Sequence, residues 1–252
     1  MPLMILITPR RLPYLNSSPA TSIRVVLDHP DFFVIDKPHG ISVQNELDAQ
    51  GILPVVCAQQ AVDKLWLVHR LDKVTSGLLI LAKHAQAAST LGKLFETRAI
   101  EKYYLALGGS KPKKKQGTIS GAMKKIRDGK WAFSQDGAGI ATTQFFSKSA
   151  SAGIRLFLLK PLTGKTHQLR VMLKSLGCPI LGDALYKGTE QDRTYLHAYC
   201  LRFEYQGQLI QLTCLPSSGE LFTNEDCQVA MQEYIEPWLL SWPKTKPTAA
   251  SK

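Results

Sequence analysis

The chain has 252 residues, and its 31 Lys and Arg against 20 Asp and Glu give a formal net charge of +11. That length supports one large domain or two smaller lobes, and no apolar run approaches the roughly 20 residues of a membrane span, which excludes a transmembrane helix. The five cysteines lack paired short spacing, which excludes a disulfide framework and favours free thiols in a reducing cytoplasm. The basic excess favours a polyanionic partner, most simply nucleic acid, with solubility alone as the alternative.

The first half of the chain predicts strands around one clear helix. Residues 1–22 are predicted as an irregular lead-in without a signal peptide, and IRVVLDHPDFFVIDKP as two strands around the turn at 29–31. A helix near 52–62 and the strand LWLVH precede a polar turn and the apolar strand GLLILAK. HAQAASTLGKLFETRAI has helical spacing, with Ala88, Leu91 and Phe95 on one face.

The second half predicts a similar mixture. KYYLALGG, two or three segments within 108–149, GIRLFLLKP, YLHAYCLRF and LIQLTCLP are predicted strands. TGKTHQLRVMLKSLGCP predicts a helix that Thr166 caps and Gly177 ends, and a last helix is expected near 225–236. We therefore predict a mixed α/β or α+β fold on a largely antiparallel sheet, as one domain over 23–242 with a disordered tail at 243–252.

Several chemistries are excluded by missing motifs. The sequence has no H-E-x-x-H, no Walker A loop, no G-x-G-x-x-G and no G-x-S-x-G. Its acids are scattered, which argues against a two-metal nuclease. We therefore expect no metal and no cofactor.

Asp72 is the first candidate for chemistry. It lies between Arg70 and Lys73, just before the apolar strand, and is followed by Thr75 and Ser76. A neighbouring guanidinium would keep the carboxylate ionised, which suits a nucleophile better than a proton donor. The alternative is that Asp72 only caps a turn whose backbone Thr75 and Ser76 satisfy.

A second polar cluster runs from Thr163 to Arg170. Gly164 before a helix start, with Lys165 beside it, is typical of a phosphate site, and His167 and Arg170 share one helix face. Leu169, Leu173 and Leu176 form another face that we expect in the core. An ordinary solvated helix start is the alternative.

Two further stretches have open interpretations. Tyr103 and Tyr104 must point to opposite faces of a strand, so one can line a cleft and stack on a base, or both can pack in the core.

Residues 111–130 carry eight basic residues against one acid, which indicates a hairpin with basic loops that holds a phosphate backbone, or a merely solvated face.

Together these stretches resemble the RluA-type RNA pseudouridine synthases over about residues 23–215. The resemblance rests on five motifs in the family's order: Lys37-Pro38-His39-Gly40; His69-Arg70-Leu71-Asp72 with Thr75-Ser76-Gly77; Lys102-x-Tyr104; Thr163 to Arg170 followed by Gly182-Asp183-x-x-Tyr186; and Leu196-His197-Ala198. It implies the pseudouridine synthase fold with a central RNA-binding cleft, and isomerisation of uridine to pseudouridine in ribosomal or transfer RNA.

The resemblance also implies roles for single residues. Asp72 is expected to be the catalytic acid, with Tyr104 packing on the uracil and Arg170 pairing with Asp72 and keeping it charged. Arg70 is expected to displace the target nucleotide, and the remaining expected substrate contacts are Thr75, Lys37, Lys165, His167 and Gln168. We expect a monomer that acts on an RNA stem-loop without cofactor, metal or membrane.

The sequence departs from the family pattern at two positions. Lys165 stands where Arg is usual and Met172 where His is usual, and both changes affect expected RNA contacts. The stretch before residue 23 is too short for an S4-type RNA-binding domain, so we expect RNA to bind the catalytic domain itself. The alternative function is an RNA-binding or RNA-folding protein that is catalytically silent on the same fold.

Overall fold

The computed structural model describes residues 5–6, 22–46, 50–135, 137 and 139–243. The chain forms two compact units. Unit 1 combines Met1–Lys102 with Leu196–Ser217, and unit 2 combines Tyr103–Tyr195 with Ser218–Lys252. The predicted domain over 23–242 therefore contains two units whose segments alternate along the chain. The predicted disordered tail lies outside the described residues, apart from Pro243.

The elements follow the predicted order. The strands are β1 (Ile5–Leu6), β2 (Arg24–His29), β3 (Phe32–Lys37), β4 (Trp66–Leu67), β5 (Ser76–Ala82), β6 (Glu101–Gly108), β7 (Gln116–Lys125), β8 (Trp131–Phe133), β9 (Ile140–Ser151), β10 (Ile154–Pro161), β11 (Leu196–Tyr205) and β12 (Gln208–Thr213). The helices are α1 (Ile52–Gln59), α2 (Ala85–Glu96), α3 (Gln168–Ser175), α4 (Glu220–Thr223) and α5 (Glu225–Gln232), with short 3-10 turns at Ala184–Tyr186 and Pro237–Leu239.

Unit 1 is built on a mixed sheet with the strand order β2-β3-β5-β11-β12-β1, and β4 also pairs with β5. The predicted hairpin of β2 and β3 is confirmed. All seven residues of β5 are buried, as its unbroken apolar run predicts. Helix α2 covers the sheet with Ala87 and Leu91 buried. The lead-in is not wholly irregular, because β1 pairs with β12 in parallel.

Unit 2 is an antiparallel sheet with the order β6-β10-β9-β7-β8. The hairpin of β7 and β8 confirms that the basic stretch folds as a hairpin. Helix α3 lies beside it, and a small core joins the two through Met123, Ala141, Val171 and Tyr186. With these two sheets and few helices, the predicted α+β class is confirmed.

Helix α3 confirms one predicted end and corrects the other. Gly177 adopts φ +74, and the Cys178 N–H donates to the Leu173 carbonyl at 3.1 Å, which ends the helix as predicted. The helix begins at Gln168, so Thr166 does not cap it. His167 precedes it in the left-handed conformation, φ +56, without a side-chain cap. The predicted core face is correct, since Leu169, Leu173 and Leu176 are buried.

Among the described residues, no helix combines the length and the apolar character that crossing a bilayer would require.

Candidate active site

In unit 1, Asp72 lies on a tight turn directly before β5. The Thr75 N–H donates to the Asp72 carbonyl at 2.9 Å and closes the turn. The Thr75 side chain is buried, Asp72 is half-buried, and Arg70 is exposed. The carboxylate therefore stands next to a rigid strand on a side chain that is only half-buried, as a reacting group requires, and Arg70 is exposed to solvent.

Lys37 supports this turn from inside the unit. Its side chain is 0% exposed, and its ammonium donates to the carbonyls of Pro38 and Ile41 at 2.8 Å and of Lys73 at 3.4 Å. The Gly40 N–H donates to the same Lys73 carbonyl at 2.8 Å. The Lys-Pro-x-Gly loop thus holds the turn that carries Asp72. These three hydrogen bonds of Lys37 are to backbone carbonyls, and contact between Lys37 and the substrate stays a prediction.

A second buried group holds the start of β5. The Ser76 hydroxyl lies 2.7 Å from His197 Nδ1, and His197 Nε2 lies 2.8 Å from the Cys214 carbonyl. Because a carbonyl only accepts, Nε2 carries a proton, and in the neutral ring Nδ1 then accepts the Ser76 hydroxyl. Gly77, φ +105, allows the close approach of β11, since a Cβ there would lie 2.2 Å from the Ala198 oxygen. The motif around residues 196–198 therefore positions the strand that follows Asp72.

Asp36, His197 and Cys214 bring three potential metal-ligand atoms within 4.8 Å of one another. The chemistry of this group does not suit a metal. Both His197 nitrogens are engaged as described, and Arg24 donates to Asp36 Oδ2 at 3.0 Å and to Cys214 Sγ at 2.9 Å. Burial, reinforced by Asp36, raises the pKa of the Cys214 thiol well above its usual value, which keeps it protonated. We attribute the group to internal support.

His69, at the start of the signature, is also a supporting residue. Its Nε2 accepts the Ile80 N–H at 2.9 Å, and its ring stacks on Phe95 with the centroids 4.3 Å apart. Burial, and secondarily the charge of Lys102, lowers the pKa of His69 to about 3. The ring is therefore neutral at physiological pH and links the Asp72 segment to β5 and α2.

In unit 2, the two tyrosines of β6 separate as strand geometry requires. Tyr103 is fully buried, and its ring centroid lies 5.7 Å from Trp242 and 6.5 Å from Trp238. Tyr104 is half-buried on the opposite face. The alternative that both tyrosines pack in the core is therefore wrong, and Tyr104 is the one accessible to a ligand.

Arg170 forms a buried bidentate ion pair with Asp183. Its Nε and Nη2 each donate to one carboxylate oxygen at 2.8 Å, and the side chains are 6% and 1% exposed. The guanidinium also lies 5.0 Å from the Tyr186 ring centroid. Sequence reasoning assigned no role to Asp183, although the motif Gly182-Asp183-x-x-Tyr186 was a signal for one. Two parallel hydrogen bonds fix the orientation of the guanidinium plane.

Tyr186 joins three segments of unit 2 through its hydroxyl. The hydroxyl accepts the backbone N–H of Trp131 at 2.9 Å and lies 2.9 Å from His167 Nδ1. The rings of Tyr186 and His167 meet edge to face. This contact holds His167 in its left-handed conformation ahead of α3. His167 lies before the helix, so it does not share a helix face with Arg170 as predicted, although both residues contact Tyr186.

Gln168 uses its whole amide inside unit 2. Its Oε1 accepts the Thr163 hydroxyl at 2.8 Å and the Lys165 N–H at 3.0 Å, and its Nε2 donates to the Thr142 carbonyl at 3.0 Å and the Thr143 hydroxyl at 2.9 Å. An amide has two donors and two acceptor positions, and all four are used. Substrate contact by Gln168 stays a prediction, while its visible contacts hold the turn at 163–167.

This turn modifies the predicted phosphate site. The Lys165 N–H is bound to Gln168, so the anion-binding capacity of Lys165 lies in its exposed side chain. Residues 113–115 are likewise exposed lysines. These four lysines of unit 2 therefore face solvent, as a surface that binds polyanions requires.

Comparisons with known proteins point to one family. The family model described as RNA pseudouridylate synthase matches residues 31–175. An uncharacterized RNA pseudouridine synthase of Haemophilus influenzae is 52% identical over 221 residues, which are 87% of this chain and 99% of that one. Ribosomal large subunit pseudouridine synthase C of Rickettsia bellii is 35% identical over 66% of this chain, which spans 57% of that relative. The solved structure of human RNA pseudouridylate synthase domain containing 4 has a TM-score of 0.64 at 26% identity, over 82% of this chain and 91% of that one.

Proposed function

Because the chain belongs to the RNA pseudouridylate synthase family, whose members are isomerases that convert uridine to pseudouridine in RNA, we propose that Asp72 is the catalytic residue of this reaction. The uracil leaves its sugar at N1 and is reattached through C5, so no atom is gained or lost. Asp72 acts as the ionised acid next to the nucleoside. That Arg170 pairs with it stays a prediction, while the structure describes a bidentate pair of Arg170 with Asp183 in unit 2.

The observation that carries this proposal is the construction around Asp72. A half-buried carboxylate follows an exposed Arg70 on a turn that the buried ammonium of Lys37 supports through the Lys73 carbonyl. A fully buried strand begins four residues later. An accessible acid on such a rigid base suits catalysis better than a surface turn, which needs no buried lysine beneath it.

The other roles follow the same logic. Arg70 displaces the target nucleotide from the RNA stack, and half-buried Tyr104 packs on the uracil. Thr75, Lys37 and Gln168 shape the two loops that hold the substrate, and Lys165 and His167 lie where the RNA is expected. The predicted RNA-binding cleft remains part of this proposal.

We propose a stem-loop of ribosomal or transfer RNA as substrate, bound by a cytoplasmic monomer. The Rickettsia bellii relative is described as a ribosomal large subunit synthase, which supports ribosomal RNA. Flipping a stacked uridine costs a few kcal/mol. Contacts between phosphates and the exposed lysines can offset that cost. The five free cysteines agree with a reducing compartment.

A pseudouridine map of stable RNAs tests the proposal. Cells lacking the gene are expected to lose at least one pseudouridine, which the wild-type chain restores and Asp72→Asn does not. Asp63→Asn, which changes an exposed acid, is the matched control and should restore the site. Restoration by Asp72→Asn would refute the catalytic assignment. No lost site, together with RNA binding but no isomerisation in vitro, would favour the catalytically silent alternative.

A further inference from the structure

A basic cavity of about 440 Å³ lies in unit 2, between the β7–β8 hairpin and the turn before α3. Its volume falls in the range of roughly 300–1,000 Å³ that is usual for small-ligand sites. The lining residues are Met123, Lys124, Lys125, Trp131, Gly164, Lys165 and Thr166. In the sequence, Lys165 and the basic hairpin belong to two separate motifs, and neither of these motifs indicates a role for Trp131.

The hairpin register brings an aromatic ring and a cation together. Lys125 is paired directly with Trp131 across the hairpin, and Met123 with Phe133, so these four side chains share one face. Met123 is 1% exposed and packs in the core beside α3, whereas Trp131 is only partly buried. The indole therefore rests on an apolar base at the wall of the cavity.

Two of the lysines that line the cavity form no ion pair with the residues that the structure describes. Lys125 and Lys165 are both exposed, and neither forms an ion pair with any residue that the structure describes. Lys165 Nζ lies against Gly139, since a Cβ added to that glycine would be only 2.8 Å from the nitrogen. The lysine side chain therefore extends towards the start of β9. Two ammonium groups without an acidic partner in the described part of the chain, beside a tryptophan, favour an anionic ligand that has an aromatic ring.

The cavity is connected to the proposed catalytic machinery. The Tyr186 hydroxyl accepts the backbone N–H of Trp131 at 2.9 Å, and the Tyr186 ring lies 5.0 Å from the Arg170 guanidinium. A ligand on Trp131 would thus be held in a fixed relation to Arg170. A nucleotide is the ligand that has both a stacking base and a phosphate.

We propose that this cavity binds a single-stranded nucleotide of the RNA substrate that flanks the target uridine. Its base stacks on Trp131 and its phosphate contacts Lys125 and Lys165. The inference rests on the proposed function, because the ligand is the RNA on which the enzyme acts. Stacking of this kind tolerates any base, so the subsite contributes affinity and placement rather than sequence choice.

Binding of a single-stranded RNA of about ten nucleotides to the full chain tests the subsite. Trp131→Ala is expected to weaken binding about 5- to 100-fold, whereas Trp131→Phe retains most of the affinity because it keeps an aromatic face. The same RNA with 5-iodouridine should photo-crosslink to Trp131 in the wild-type chain. Unchanged affinity in Trp131→Ala, or an adduct only outside the cavity, would overturn the proposal.

Salt dependence gives a second readout that does not depend on altering the tryptophan. Lys125→Ala and Lys165→Ala should each reduce the slope of log Kd against log salt by about 0.7, the amount for one phosphate contact on a single strand. Lys93→Ala, an exposed lysine on α2 of unit 1, is the matched control and should leave the slope unchanged. If Lys125→Ala and Lys165→Ala kept the same slope as Lys93→Ala and the wild type, the phosphate contacts would be refuted.

The two proposals fail separately. Asp72→Asn should bind this RNA as the wild-type chain does. If Asp72→Asn keeps isomerase activity while Trp131→Ala loses affinity, the catalytic assignment is wrong and the subsite stands. If Asp72→Asn abolishes activity while Trp131→Ala binds normally, the subsite is wrong and the catalytic assignment stands.

Discussion

The environment of His69 predicts that unit 1 loses stability in mild acid. Its ring accepts the Ile80 N–H and stacks on Phe95, and burial lowers its pKa to about 3. The reference pKa of an unfolded histidine is about 6.5. The unfolded chain therefore binds the proton more readily between these values. Stability from this group is complete above pH 6.5 and is lost as the pH falls towards 3.

The size of the effect follows from proton linkage. Between pH 7 and pH 5, a group whose pKa falls from about 6.5 in the unfolded chain to about 3 in the folded chain removes about 2 kcal/mol from the free energy of unfolding. This is an upper figure, because the His69 ring is only partly buried by its accessible surface, and solvent reduces such shifts.

Urea unfolding of wild type and His69→Gln at pH 7 and pH 5 measures this term. Glutamine can still accept the Ile80 N–H but does not titrate in this range. The loss of stability from pH 7 to pH 5 should be up to about 2 kcal/mol smaller in His69→Gln.

An equal loss in His69→Gln and wild type would refute the assignment of His69 as a neutral supporting residue. Nuclear magnetic resonance gives a direct check, since the ring signals of His69 should not shift between pH 8 and pH 5. A midpoint near pH 6.5 would mean that the ring is solvated in the folded protein.

Three further changes test the supports and the RNA surface. Asp183→Asn removes the negative charge from the buried bidentate pair with Arg170 and should lower the free energy of unfolding by about 3–5 kcal/mol, measured by urea unfolding. Gln168→Leu leaves the Lys165 N–H without its acceptor and should cost about 1–3 kcal/mol in the same assay. Replacing the lysines at 113–115 by Ala should flatten the salt dependence of RNA binding by about 2 in slope, and an unchanged slope would show that this loop stays in solvent.

The stability changes have a surface control. Asp63→Asn removes an exposed acid and should alter the free energy of unfolding by less than about 0.5 kcal/mol. A similarly small effect of Asp183→Asn would show that the Arg170 pair is solvated, and normal stability of Gln168→Leu would show that its hydrogen bonds are replaced by water.

Local structure was largely predictable because its causes are local. The hairpin of β2 and β3, the buried strand β5 and the end of α3 at Gly177 follow from turn residues, apolar runs and a positive φ. The start of α3 was not predictable. Thr166 has the usual capping chemistry, but Tyr186 contacts His167 and the helix begins at Gln168.

The candidate site, like the fold, was predictable only in part. The motifs were sufficient to pick out Asp72, Tyr104 and Arg170 as candidates and to indicate the family. The comparisons confirm the family. The partner of Arg170, the internal role of His69 and the lysine–tryptophan cavity were not evident from any motif.

By itself the sequence determined the family, the α+β class and the residues on which the chemistry is proposed to depend, since each is encoded in short patterns of residue type and spacing. The tertiary structure decided which polar residues lie in the interior and support others, and which stay exposed to RNA. Lys37 and Lys165 are both lysines within motifs, yet one is fully buried on backbone carbonyls and the other is exposed. Burial and hydrogen-bond partners arise from contacts between segments far apart in the chain, and these determine whether a charge is neutralised inside the protein or remains available to a phosphate.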